Sequence, residues 1–222
     1  MASVAKQYVD EIEKQYGGGY RATWLPGVPL SVGDIGVLVD GVFERRSSIK
    51  YYGIEFNTLT DKTSASFDYA SQKGVEITIK MSGEIAPPGS ILNDVTAGII
   101  VEISHANSVL FKANNTKNHS VKDINKLEKD VIKLYKEKKW EKEWCIITEL
   151  VVADSATIIM SGSENSKIEL EATADIGIGE IDIADATLGL AVRHKNNVQT
   201  EYIAEKNLTP LFRVKQLKFK NI

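Results

Sequence analysis

Three histidines, a single cysteine and a few closely spaced carboxylates are the residues of this 222-residue chain from which chemistry could be built. Nucleophilic catalysis needs a side chain such as Ser or Cys with a base in reach. A metal site needs several His, Cys or carboxylate ligands at short spacing. His105, His119 and His194 are scattered and share no metal-type spacing with one another or with Cys145. Cys145 follows Trp144 in the apolar run "WCIITELVVA", which reads as a buried, inert thiol. The phrase "GIGEI" lacks the third glycine and the following helix of a dinucleotide fingerprint, and "SGSEN" lacks the second glycine of a nucleophile elbow. Glu169 and Glu171 share one face of a strand-like run and read as a solvated edge rather than an acid–base pair. These residues predict neither an enzyme nor a cofactor nor a metal.

Composition narrows the remaining classes. The chain is 43% apolar, enough to bury a sizeable core, and carries a formal charge of −3. With a pI near 5.7 it lacks the basic excess of a dedicated nucleic-acid binder. One cysteine excludes an internal disulfide and suits a reducing compartment. The opening "MASVAKQYVDEIEKQY" has acids and no apolar segment of a secretory signal. Nowhere do 18 apolar residues run together as a membrane-spanning helix requires.

The elements that would position a site follow from periodicity. Residues 3–16 place Val4, Tyr8, Ile12 and Tyr16 four apart, with Val9 beside them, which predicts a short helix stopped by Gly17, Gly18 and Gly19. Its apolar stripe suits either packing on a sheet or contact with a membrane or partner. "VLVDGVFER" predicts a hairpin turning at Asp40-Gly41, and "IKYYGIEF" a further short strand. A second helix is expected from a Ser120 cap, with Asp123 three residues on as in a capping box. Val121, Ile124, Val131, Leu134 and Tyr135 form its buried stripe, with Leu127 at the edge. From Trp144 the pattern is strand again, through "WCIITELVVA" and "TIIMSG" and finally "LTPLFRVKQLKFKNI". The predicted class is α+β: a twisted, mostly antiparallel sheet with an N-terminal helix and a charged central helix.

Lys122, Lys126, Lys129, Lys133 and Lys136 recur at steps of four and three, a lysine stripe along the exposed face of that central helix. Two readings stand side by side. One is a solvated face with Lys126–Asp130 and Lys133–Glu137 pairs. The other is a patch for anionic lipid headgroups, where each lysine near the surface adds about 1 kcal/mol.

Two long ribbons alternate with period two. In "VEITIKMSGEI", Val75, Ile77, Ile79, Met81 and Ile85 share a face; Glu76, Thr78, Lys80, Ser82 and Glu84 share the other. After "APPGSILND", in which Pro87, Pro88 and Gly89 hold the connection, Val95, Ala97, Ile99, Val101 and Ile103 form the partner run. The second ribbon, "KIELEATADIGI", puts Ile168, Leu170, Ile176 and Ile178 on one side and has a turn candidate at Gly179-Glu180. Residues 181–192 run back with a change of parity between Ile183 and Ala184, which predicts a bulge and aligns Leu188, Leu190 and Val192. A half-buried sheet shows such alternation, and so does a transmembrane β-strand of about 9–11 residues. A lone copy could not span, because open strand edges in lipid leave backbone groups unpaired; many copies would have to close into a barrel.

The order of these elements resembles the pore-forming domain of the gasdermins: an amphipathic first helix, small strands, a long hairpin, a charged helix, a core strand, a second long hairpin and a closing strand. "KEWCIITELVVADSATI" is similar to that family's core strand, and "LTPLFRVKQLKF" to its closing strand. The likeness extends over most of residues 1–219 and best suits a compact bacterial-type member, one domain over 1–222 with no separate repressor domain. It implies a cell-death effector, a cytoplasmic monomer when inactive, that meets membrane lipids, forms a homo-oligomer on activation and inserts two hairpins, about 75–103 and 167–192, into the cell membrane. A protease or a repressor would control it, and no nucleic acid is involved. Val4, Tyr8 and Ile12 would lie on the helix that engages membrane or holds the repressed state. In such a barrel Glu76, Glu84, Glu102, Glu169, Glu171 and Asp175, against Lys80 and Lys167, would make an acidic lumen. The rival expectation is a non-lytic interaction or ligand-binding module of the same α+β class.

Overall fold

Most of the chain is extended, as the period-two pattern of its apolar residues requires. The computed structural model describes residues 4–71, 74–174 and 181–217. In chain order the elements begin α1 (Val4–Tyr16), β1 (Arg21–Ala22), β2 (Asp34–Val39), β3 (Val42–Ser48), β4 (Thr58–Thr60), β5 (Ala65–Ala70), β6 (Val75–Lys80) and β7 (Gly98–Ile103). There follow β8 (Val109–Val121), α2 (Ile124–Lys136), β9 (Cys145–Ser161), β10 (Ser166–Ala172), β11 (Leu190–Asn196) and β12 (Val198–Gln216). The described ladders are antiparallel, and the fold is α+β. The chain divides into two compact units, Met1–Ser64, Lys117–Val152 and Thr209–Ile222 in one, Ala65–Thr116 and Ala153–Leu208 in the other.

In the first unit β1, β12, β9, β2 and β3 lie side by side in that order, and β4 pairs with β8. The β2–β3 hairpin turns at Asp40 (φ 50°) and Gly41 (φ 85°), the two left-handed residues of the expected tight turn. Helix α1 buries Tyr8, Val9 and Ile12; Val4 is half-buried, and the Tyr8 ring meets Trp24 at 5.6 Å. Helix α2 buries Leu127, Val131 and Leu134 against Ile35, Ile49, Trp140 and Ile146.

Two expectations for this unit are corrected. Ser120 does not cap α2: it pairs with Leu59 of β4, which keeps β8 extended to Val121. Asp123 is the cap, its Oδ1 accepting the Lys126 N–H at 2.9 Å, so Lys122 precedes the helix and Val121 is buried as a strand residue. "IKYYGIEF" is not a strand. Ile49–Tyr52 form a 3₁₀ turn that closes at Gly53.

The second unit holds a four-stranded sheet in the order β11-β10-β7-β6, and β5 pairs with β8. One face of the four-stranded sheet is apolar: Ile99, Val101 and Ile103 of β7 and Ile168 and Leu170 of β10 pack with Leu110, Ile159, Ile181 and Ile183. The ribbons are shorter than their pattern. β6 stops at Lys80 because Met81 turns, its N–H donating to Glu84 Oε2 at 2.7 Å. β7 starts only at Gly98, since Asn93 Oδ1 accepts the N–H groups of Val95 and Thr96. Residues 181–189 are not strand: Asp182 and Asp185 accept the N–H groups of Ala184 and Thr187, side-chain turns that compete with a ladder, and a 3₁₀ turn follows at Ala186–Leu188. The register shift lies at Arg193, where Glu169 and Leu170 face His194 and Val192, rather than at Ile183. Ile176, Ile178, Asp175 and the Gly179-Glu180 turn fall outside the described residues.

Candidate functional site

The two expected hairpins meet in one sheet. Val75 pairs with Ile103, Ile77 with Val101 and Ile79 with Ile99; on the other side of β7, Ile168 pairs with Val101 and Leu170 with Ile99. Direct cross-strand partners point to one face, so these eight residues share a side of the sheet; Met81, Val95, Ala97 and Leu188 lie outside its strands. Their environments differ along it. Ala97, Ile99, Val101, Ile103, Ile168 and Leu170 are buried, and Val75, Met81, Leu188 and Leu190 pack partly against them. Ile77, Ile79, Val95 and Val192 are exposed.

The opposite face, expected to be solvated, is largely covered. Residues 81–97, the connection between β6 and β7, fold back over it as a strap. Glu169, expected on an open edge, is fully buried (0% exposed), and its Oε2 accepts Ser90 Oγ–H at 2.7 Å and the Ile91 N–H at 2.9 Å. Lys167 Nζ lies 2.8 Å from Glu169 Oε1 and donates to the Gly89 carbonyl at 3.1 Å. Burial pushes the Glu169 carboxyl up, but its bonds to Lys167, Ser90 and Ile91 outweigh that and hold it below the ordinary value. Lys80, also expected on the wet face, is 2% exposed; its Nζ donates to the carbonyls of Thr96 (2.7 Å), Asp94 (3.3 Å) and Met81 (3.3 Å). Buried charge is tolerated only with such partners. Leu92 lies over Gly98, where a Cβ would stand 2.4 Å from the Leu170 carbonyl oxygen of β10 and 2.7 Å from Leu92 Cδ1, so the close approach of β10 requires glycine at that position.

Beyond the strap the polar face is charged. Glu76 and Glu102 are direct cross-strand partners, a destabilising juxtaposition that Lys167 relieves at 3.7 Å from Glu102. They line an open cleft of about 530 Å³ together with His194. Glu171 pairs with Arg193 at 2.6 Å. Among the described residues no group of three or more His, Cys, Asp or Glu is placed to hold a metal ion.

In the first unit Lys122, Lys126, Lys129, Lys133 and Lys136 are all exposed. Among the described residues none of them forms an ion pair, so the Lys126–Asp130 and Lys133–Glu137 pairs are not made; Glu137 turns to Lys139 at 2.9 Å. Lys122 and Lys126 line a cleft of about 890 Å³ with Lys50. The stripe of α1 is covered, not presented. His119 lies beside Thr60 (3.0 Å) and His105 beside Ser104 (3.0 Å), whereas His194 is on β11. Cys145 is buried with its Sγ toward the Gly36 carbonyl, and burial pushes its thiol up to about 11.

Sequence reasoning placed the apolar face correctly and missed the strap. The one signal for it is the turn-rich, Pro-Pro-Gly-containing stretch between Met81 and Ala97, too long for a hairpin loop of two to five residues. Among the described residues no helix is long and apolar enough to cross a membrane, which says nothing of strands. The chain matches no protein-family model and no curated protein.

Proposed function

We propose that the chain is a membrane pore-forming cell-death effector of gasdermin type, non-enzymatic and cofactor-free, whose hairpins about 75–103 and 167–192 enter a bilayer after oligomerisation. The observation that carries this reading is the strand order β6-β7-β10-β11: two hairpins side by side, antiparallel, with one apolar and one polar face. That is the repeating unit a closed antiparallel barrel needs from each copy, and β6 and β11 are the edges through which copies would pair. The strands are six and seven residues long, about 20–24 Å at strand rise, against the 9–11 residues a tilted spanning strand requires. The described form is then the short, unopened one. Lys122, Lys126, Lys129, Lys133 and Lys136 would meet anionic headgroups, and the protein would be cytoplasmic until assembled in the cell membrane. Burying Tyr8, Val9 and Ile12 of α1 contributes about 5–9 kcal/mol in area terms, comparable to a whole domain's net stability. That burial supports a role for helix α1 in holding the resting state rather than in meeting a membrane. A protease or a repressor would supply the trigger.

The test is dye release from anionic and neutral vesicles by the purified protein, before and after limited proteolysis, with imaging of the same samples. Leakage with rings or arcs is expected. A monodisperse monomer that never releases dye would select the second reading, a non-lytic interaction module. That reading is favoured by the complete burial of Ile99, Val101, Ile168 and Leu170.

A further inference from the structure

For β6 and β7 to reach spanning length, residues 81–97 must leave the polar face and join the ladder. The β6–β7 register, Val75 with Ile103 through Lys80 with Gly98, would continue as Met81 with Ala97, Gly83 with Val95 and Ile85 with Asn93. That continuation places Ile85, Ile91 and Val95, all exposed in the strap, on the same side as Ile77 and Ile79. It adds about seven residues to each strand, with Ile91 opposite Pro87. The observed strap is out of this register, with Gly83 N–H donating to the Asp94 carbonyl at 2.8 Å.

Three charged side chains of the sheet hold it there, at both ends. Glu169 takes the Ser90 hydroxyl and the Ile91 N–H, Lys167 takes the Gly89 carbonyl, and Lys80 takes the carbonyls of Asp94 and Thr96. Each is a charge-assisted bond, and Glu169 and Lys80 are buried, where such bonds are strongest and loss of a partner is most costly. An ordinary connection between two surface strands needs no buried carboxylate beneath it.

We propose that Glu169, assisted by Lys80 and Lys167, is a latch that keeps residues 81–97 folded on the polar face, and that its release is the step that lets β6 and β7 lengthen. This rests on the pore reading for its purpose, but the latch itself is a property of the folded protein. Any agent that takes the Ser90 and Ile91 donors away from Glu169, or protonates that carboxylate, frees the tip of the strap first.

Amide hydrogen exchange and vesicle leakage, measured on the same preparations, test it. Ser90→Ala removes one donor to Glu169, and with it the acceptor of the Leu92 N–H, and leaves the Glu169–Lys167 pair intact; exchange at residues 89–91 and 93–96, Leu92 set aside, should quicken about tenfold while β9 and β12 keep their protection. Glu169→Ala removes the acceptor altogether and should quicken it further. If Glu169→Ala loosens the whole protein, Ser90→Ala alone decides. Faster strap exchange with faster dye release supports the latch and the pore. Faster strap exchange without dye release supports the latch and overturns the pore reading. Strap exchange unchanged within threefold in both variants overturns the latch, whatever the vesicles do.

Discussion

The double substitution Ile77→Lys with Ile79→Lys separates folding from insertion. Both residues lie on the edge strand β6, and their exposures of 42% and 46% mean that each has already given up about half its burial. Full burial of an isoleucine is worth about 1.5–3 kcal/mol, so the folded protein loses at most about 1.5 kcal/mol per site, less whatever the lysine stem recovers on the surface. A lysine on the lipid face of a barrel strand costs about 2–4 kcal/mol near the midplane. The pair therefore costs an inserted barrel about 4–8 kcal/mol per copy, or about three to six orders of magnitude in a two-state equilibrium at about 1.4 kcal/mol per decade. Thermal unfolding and dye release are the paired assays: the melting temperature should fall by about 10 °C at most, and leakage should vanish. Glu76→Lys, on the polar face of the same strand, should leave leakage in place while relieving the Glu76–Glu102 repulsion. Leakage that survives the double lysine variant, in protein that still folds, would refute the assignment of this face to lipid. Lysine at Ile168 or Leu170 could not decide the matter, because both are fully buried and the monomer would unfold first.

Glu169 should make stability pH-dependent in a defined window. Its carboxyl is held below the ordinary 4.5, so its contribution is complete above that value and is lost as pH falls through the lower, folded one. Lys167 is the charge beside it, with Glu102, Lys80 and His194 on the neighbouring strands of the same face. Denaturant unfolding from pH 6 to pH 3 should show wild type losing stability relative to Glu169→Gln; parallel curves would refute the assignment. A pore lined as the polar face implies should pass cations over anions, and an anion-selective conductance would contradict it. The Cys145 thiol, pushed up to about 11 and buried, should resist maleimide at neutral pH until denaturant is added. Asp123→Ala should remove the α2 cap, costing about 1 kcal/mol and 2–4 °C in melting temperature.

Period-two alternation made the apolar face of the second unit legible: Ile99, Val101, Ile103, Ile168 and Leu170 are buried together as their spacing requires. The same spacing overran the strands, because alternation continues through residues 81–85 and 181–189 while local side-chain bonds, from Glu84, Asn93, Asp182 and Asp185, bend the chain away. Strand β8 was invisible for the opposite reason. "KANNTKN" has low strand propensity and Asn115 sits at φ 49°, so pairing with β4 and β5, not local preference, makes it extended. The first half of β12 was hidden likewise, its parity broken at Ala204 (φ 50°) and Asn207 (φ 57°). Lys80 and Glu169 could not have been identified in advance, since a charged residue on the polar side of a strand reads as solvated until the segment that covers it is known.

That last point bears on function. If alternation served only a half-wet sheet, the polar face would stand in water and its charges would need no partners. If it served only a permanent barrel, residues 81–97 would be strand. What is observed is a polar face whose two most buried charges spend their hydrogen bonds on a segment that could extend the ladder, while that segment leaves Ile85, Ile91 and Val95 in water. The sheet thus bears the desolvation of Lys80 and Glu169, offset by their hydrogen bonds to the strap, while the strap leaves three apolar side chains in water. The proposed latch accounts for both at once: the same segment is held by the sheet's charges when folded back and carries Ile85, Ile91 and Val95 to the apolar side when extended. On that reading a trigger acts by binding or protonating the groups at Glu169, and only in so far as it favours the extended form over the folded-back one.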